Sequence, residues 1–434
     1  SDVLTLPTDR SPGILVAHDL SPAETVGLTK DRVLAIVTEA GTRTSHTAIL
    51  ARALDIPAVV GIAGFMSQVG DGDWLIVDGV RGHVTIAPDQ LAVEEATEQV
   101  ARYHRTAQVR RELRDRPVVT RCGMPIELRG NIELPGEAEI ALAQGARGIG
   151  LYRTEFLYVN RTTPPDEEEQ YATYRRVVEA VSPYSVTLRT FDIGGDKAFL
   201  GFRTPHETNP ALGMRAVRLG LARKDLFMDQ LRAIVRASAH GDLRIMVPMV
   251  ASISEVRAVR VLFDRALAEV DAAGQARASS IPLGIMVEVP ATAVMADRFA
   301  ELVDFMSIGT NDLVQYALAV DRGSAELAHL ASSFDPAILR LIRGVVAAAA
   351  ARQRPVVVCG AMASDPLAAL LLLGLGLREL SLEASAIPDV RDAIGQVTLA
   401  EAEEAAEEAL ACYTASEVEQ ALRDRFGERL SLTS

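Results

Sequence analysis

Between Pro117 and the C-terminus, short apolar runs alternate eight times with longer stretches of helical spacing, and this alternation narrows the possible folds more than any other feature of the chain. The runs are 126–132, 148–152, 186–191, 244–250, 283–289, 305–308, 356–359 and 379–382. The helical stretches between them are 137–144, 167–181, 226–239, 253–273, 291–301, 313–318, 336–353 and 365–374. Repeated strand–helix units predict an α/β fold of parallel strands with helical crossovers. Eight units in about 317 residues suit a closed (β/α)8 (TIM) barrel over 118–434, although an open doubly wound sheet meets the same periodicity.

Ahead of that region the pattern is different. Over residues 1–90, apolar runs at 14–17, 33–37, 58–60, 74–77 and 83–86 are separated by Gly, Asp and Pro turns, with one helix beginning near Ser45. A small α/β domain is predicted there. Residues 90–115 lack Gly and Pro and place Leu91, Ala96, Val100, Tyr103, Ala107 and Leu113 near helical spacing, so a helical linker is predicted over 91–117. Beyond Thr398 an Ala/Glu-rich stretch reads as exposed helix.

Composition excludes several classes of function. Lys and Arg number 44 against 58 Asp and Glu, a net charge of −14 that disfavours a nucleic-acid partner. The longest apolar run, Leu367–Leu377, is about half the ~20 residues of a membrane span and contains Gly374 and Gly376, so no membrane association is expected. Cys122, Cys359 and Cys412 are far apart and odd in number, which fits neither a disulfide framework nor a zinc cluster and predicts a cytoplasmic protein. The chain opens Ser1-Asp2-Val3 with no charged-then-apolar leader.

In a barrel, chemistry gathers at the C-terminal strand ends. There the sequence places Arg153, Arg189 with Asp192, Glu288, Asn311 with Asp312, and Cys359. Glu288 and Asp312 form an oxygen pair suited to Mg²⁺, with a structural salt bridge as the even alternative. Arg153, Arg189 and Arg322 offer planar forks for phosphate or carboxylate. Lys197 on a glycine loop is a candidate for added charge, with a solvated turn lysine the commoner reading, and the helix starting at 309–313 presents free N–H groups. Metal, anion cradle and arginines together point to phosphoryl transfer. The candidate acceptor is His46, in the loop Gly41-Thr42-Arg43-Thr44-Ser45-His46-Thr47, because a neutral imidazole at a helix start is a competent nucleophile, although this loop by itself more often reads as a capping histidine with no chemistry. Cys359, chiefly thiol at neutral pH, can give a proton to an enolate, although a strand cysteine is more often a small hydrophobe.

These motifs in this order resemble enzyme I of the bacterial phosphoenolpyruvate-dependent phosphotransferase system, over nearly the whole chain. The resemblance is carried by 41–47, Gly150-Leu151-Tyr152-Arg153-Thr154-Glu155-Phe156-Leu157, Asp192-Ile193-Gly194-Gly195-Asp196-Lys197, Asn209-Pro210-Ala211-Leu212-Gly213, Met286-Val287-Glu288, 307–313, Ala319-Val320-Asp321-Arg322-Gly323 and Cys359-Gly360. It implies that His46 takes the phosphoryl group of phosphoenolpyruvate and that Arg153, Arg189, Asn311 and Arg322 hold the substrate, with Arg215 and Lys197 near its phosphate. It further implies Glu288 and Asp312 as Mg²⁺ ligands, Cys359 as the acid that converts enolate to pyruvate, an HPr-type phosphocarrier as the next acceptor, and a homodimer joined through the barrel. The helix at 91–115 is then expected to act as a hinge.

Two departures accompany the resemblance. Ala361 stands where the family usually has Glu after Cys-Gly, and the family's helical subdomain that docks HPr is expected to be missing ahead of Ser1, with transfer to HPr then expected to be weak or lost. Two other readings compete. One is a fragment of a pyruvate phosphate dikinase or phosphoenolpyruvate synthase, which would need a nucleotide-binding loop that the sequence does not contain. The other is a catalytically silent regulatory paralogue that binds phosphoenolpyruvate.

Overall fold

The eight runs form one closed parallel sheet. In the computed structural model they are β7 (Pro125–Ile132), β8 (Ile149–Arg153), β9 (Val186–Arg189), β10 (Leu243–Val247), β11 (Leu283–Val287), β12 (Met306–Ile308), β13 (Val356–Val358) and β14 (Glu379–Glu383). Each pairs in parallel with the next, and β14 pairs back onto β7 in register Glu379↔Glu127 to Glu383↔Asn131, which closes the barrel. A short strand, β6 (Val118–Val119), adds antiparallel to β7. The structure describes residues 12–20, 32–41, 47–48, 51, 56–114, 116–158, 161–194, 209–321, 324 and 326–430. They divide into two units, residues 1–112 and 113–434.

Three strands end two or three residues before the apolar runs that announce them. The runs 186–191, 244–250 and 283–289 leave the sheet after Arg189, Val247 and Val287. Beyond those points the backbone serves the loops: Met249 takes a left-handed φ of 57°, and its N–H is donated to the Glu288 carboxylate at 2.7 Å. Helix 291–301 is likewise broken into 290–294 and 296–299 at Met295, whose ψ of 19° is not helical.

Outward-facing residues of the strands pack against the surrounding helices in one continuous core that includes Leu128, Ile149, Leu188, Ile245, Ile285, Met306 and Leu380. A separate apolar cluster of Leu151, Met246, Met286, Phe305 and Cys359 fills part of the interior. The Ala/Glu-rich stretch is not the exposed helix expected. It forms helices 399–411 and 415–426, each opened by a capping box (Thr398 with Glu401, Thr414 with Glu417). Ala402, Ala405, Ala406 and Ala409 are buried against the leucine-rich helix 366–374. Small alanines at helical spacing form a close-packing face, which counting glutamates conceals.

In the other unit, β1 (Gly13–Ala17), β2 (Val33–Thr38) and β3 (Ala58–Val60) make a parallel sheet, and β4 (Leu75–Asp78) with β5 (His83–Ile86) make an antiparallel pair. Leu20, Val33, Ile36, Ala51 and Ile56 form its core. A 24-residue helix, Gln90–Leu113, follows. No described helix is long and apolar enough to cross a membrane.

Candidate active site at the C-terminal mouth of the barrel

Period-two alternation sends every second residue of a barrel strand inward, and on β7 these are Glu127, Arg129 and Asn131, continued by Glu133. Four polar residues in that rhythm were a legible signal, yet sequence reading passed over all of them. Asn131 sits where the barrel closes: its Nδ2 donates to the carbonyls of Cys359 (3.0 Å) and Ser381 (3.2 Å), and its Oδ1 accepts from Ser381 Oγ at 2.6 Å. Glu133 pairs with Arg153 at the end of β8 and so directs that guanidinium over the mouth.

Arg189, ending β9, is 4% exposed and is paired with Glu155 and, at 3.4 Å, with Asp192. Burial alone works against its cation, but Glu155, Asp192, Glu288 and Asp312 outweigh it, so its pKa lies above the ordinary value. Arg215 is more tightly held. Its Nε and Nη2 donate to the two oxygens of Asp192 at 2.8 and 2.9 Å, while Nη1 reaches Asp312 Oδ1 at 3.2 Å and the Tyr316 hydroxyl at 3.1 Å. Tyr316 in turn donates to the Ala211 carbonyl at 2.6 Å. A planar fork gripping one carboxylate bidentately still has an edge free to reach a second, which a lysine could not do.

Glu288 follows β11 and is almost completely buried. Burial, then the neighbouring Asp312 and Asp192, hold its carboxyl well above the usual carboxylate range. Carboxyl groups crowded this closely ionise together most readily beside a divalent cation, and Glu288 with Asp312 could hold Mg²⁺ on that ground. Asp312 lies in the first turn of helix 310–317, which starts directly after β12 as the run 309–313 led one to expect. Beside it Asn311 Oδ1 accepts the Ala361 N–H at 2.8 Å, which turns its NH2 group the other way. The backbone at position 361 therefore has a structural use that does not depend on its side chain. Gly360 permits this approach: a Cβ there would lie 1.9 Å from Thr310 Oγ1.

Cys359 follows β13. Burial pushes its thiol up to about 11, and a hydrogen bond from Ser307 Oγ at 3.1 Å opposes that rise. It therefore carries its proton at neutral pH.

The structure thus brings Arg153, Arg189, Arg215, Glu288, Asn311, Asp312 and Cys359 to one end of the barrel. His46, Lys197 and Arg322 lie outside the described residues. Sequence reasoning missed Asn131, Glu133, Glu155, Ser307 and Tyr316, which hold the others in place.

Comparison with known proteins places the same two units in known families. Residues 10–82 match the model described as PEP-utilising enzyme, mobile domain, and residues 107–399 match PEP-utilising enzyme, PEP-binding domain. The chain is 45% identical over 405 residues to the phosphoenolpyruvate-protein phosphotransferase of Staphylococcus carnosus (strain TM300), covering 93% of this chain and 71% of that protein. It is 42% identical over 413 residues to the protein of the same name from Bacillus subtilis (strain 168), covering 95% of this chain and 72% of that one. An NMR solution structure of Enzyme I (nEIt) is 41% identical over 24% of this chain and 41% of that one, with a TM-score of 0.22.

Proposed function

The chain belongs to the phosphoenolpyruvate-protein phosphotransferases, a family of PEP-utilising enzymes, and from that membership we propose how its residues divide the work. It is an enzyme of phosphoenolpyruvate-dependent phosphoryl transfer in the phosphotransferase system. Arg153, Arg189 and Asn311, with Arg322, hold the phosphate and carboxylate of phosphoenolpyruvate, and Arg215 and Lys197 complete the charge around the phosphate. Glu288 and Asp312 would hold Mg²⁺, which when bound would neutralise substrate oxygen charge as the phosphoryl group departs. His46 accepts that group on an imidazole nitrogen, the P–O bond to the enol breaks, and the enolate left behind takes the Cys359 proton at C3 to become pyruvate.

The observation that carries this reading is the convergence of three guanidinium groups, two buried carboxylates, an amide and a protonated thiol on one barrel mouth. We further propose a cytoplasmic homodimer that passes the phosphoryl group to an HPr-type carrier. Incubation with phosphoenolpyruvate and Mg²⁺ is expected to place acid-labile phosphate on His46, detectable by mass spectrometry. No phosphate above a His46→Ala control would overturn the enzyme reading in favour of a silent binding protein. Glu288→Ala and Asp312→Ala are each expected to abolish Mg²⁺-dependent phosphorylation while leaving the far-ultraviolet circular dichroism unchanged.

A further inference from the structure

Ser307 is a hydroxyl on an otherwise apolar strand. It lies between Met306 and Ile308 on β12, is completely buried, and faces the interior near Met246, Met286 and Phe305. A buried hydroxyl is costly unless a good acceptor receives it. Among the described residues its hydrogen bond goes to Cys359 Sγ, at 3.1 Å. A neutral thiol is a weak acceptor, so this is a poor use of a buried donor if the cysteine never changes state. The cysteine's own proton points elsewhere, with Sγ 3.7 Å from the Ile308 carbonyl on the same strand. Asn131 fixes the Cys359 backbone through its carbonyl, so the sulfur is positioned from two sides.

We propose that Ser307 is a positioning residue for proton delivery by Cys359, its hydroxyl supporting the thiolate that exists only after the enolate has been protonated. The inference rests on the reading of Cys359 as the acid. In that step the S–H bond breaks, a C–H bond forms at C3 of the enolate, and the electron pair stays on sulfur. The Ser307 O–H···S bond is then charge-assisted, stronger than in the resting enzyme, and so favours the transition state over the ground state. Water restores the thiol proton as pyruvate leaves.

The Thr and Val variants of Ser307 test this, because the two side chains share a shape and differ by the hydroxyl. Single-turnover pyruvate formation is followed as phosphoenolpyruvate concentration is varied with Mg²⁺ present, alongside phosphate on His46. Ser307→Val is expected to lower the maximal rate about tenfold relative to Ser307→Thr, with half-saturating phosphoenolpyruvate the same in both. Ser307→Ala is expected to fall with Val, and Thr to return toward the unsubstituted protein. Equal maximal rates for Thr and Val would overturn the role of the hydroxyl, however much both variants lose to packing. Absence of His46 phosphate in the unsubstituted protein would instead sink the functional reading beneath it.

Discussion

Arg215 bonds two carboxylates that would otherwise repel each other and Glu288 in a buried site. Replacing it with methionine fills much the same volume but removes the bidentate cation of Asp192, which keeps Arg189 at 3.4 Å, and the guanidinium that reaches Asp312, an expected loss of about 3 kcal/mol in urea denaturation. Nothing in the local sequence around Arg215 marks it apart from other arginines; its value comes from partners 23 and 97 residues away. The cysteines make the same point. Cys122 is exposed and its thiol is lowered below the ordinary value, first by the Leu399 N–H and then by Thr120, whereas Cys359 is buried and raised to about 11. Iodoacetamide at pH 7.5 is therefore expected to modify Cys122 well before Cys359, as peptide mass spectrometry will register. Sequence already set Cys359 apart by its place at a strand end, but did not show which of the two thiols is raised and which lowered.

The elements themselves were largely legible, because amphipathic spacing and caps are local properties. What local reading misjudged was the face of helix 399–411. Gly374 shows how tightly that helix seats: a Cβ there would lie 2.0 Å from the Ala402 carbonyl, so Gly374→Ala is expected to cost about 1–3 kcal/mol by forcing the two helices apart. The cap of the same helix has its own pH signature. Glu401 accepts the Thr398 N–H at 2.7 Å and is paired with Arg429, which together depress its carboxyl to about 2. A depressed carboxylate stabilises the fold in full above its unfolded value near 4.5 and loses that contribution as pH falls toward about 2. Glu401→Gln is expected to flatten this acid limb of stability, measured by urea titration between pH 5 and 3. The broken helix 290–299 and the early exit of β9, β10 and β11 were not legible, since the residues concerned are as apolar as the strands before them.

At the scale of the whole barrel, its two ends have different work. At the N-terminal end Arg129, 3% exposed, is paired at 2.6 Å with both Glu127 and Glu379, and Glu379 also lies 3.7 Å from Arg244. None of these residues is near the mouth that carries Glu288 and Cys359. Arg129→Ala is expected to lower stability by about 3 kcal/mol by taking the close cation from buried Glu379, which keeps the longer contact to Arg244. Phosphorylation of His46 measured well below the unfolding temperature should be undiminished. The count of eight strands, their order along the chain, most of the helices between them and several of the polar residues that end them were written in the chain, because periodicity depends on near neighbours. The sequence by itself also determined the family, through motifs held in register along the chain. Only the tertiary structure decided that the sheet closes, which carboxylate each buried arginine answers, and that Asn131, Ser381 and Ser307 gather around one cysteine. Those outcomes depend on pairings between residues tens to hundreds of positions apart, where burial turns ordinary side chains into strong electrostatic partners and where no local pattern records who meets whom.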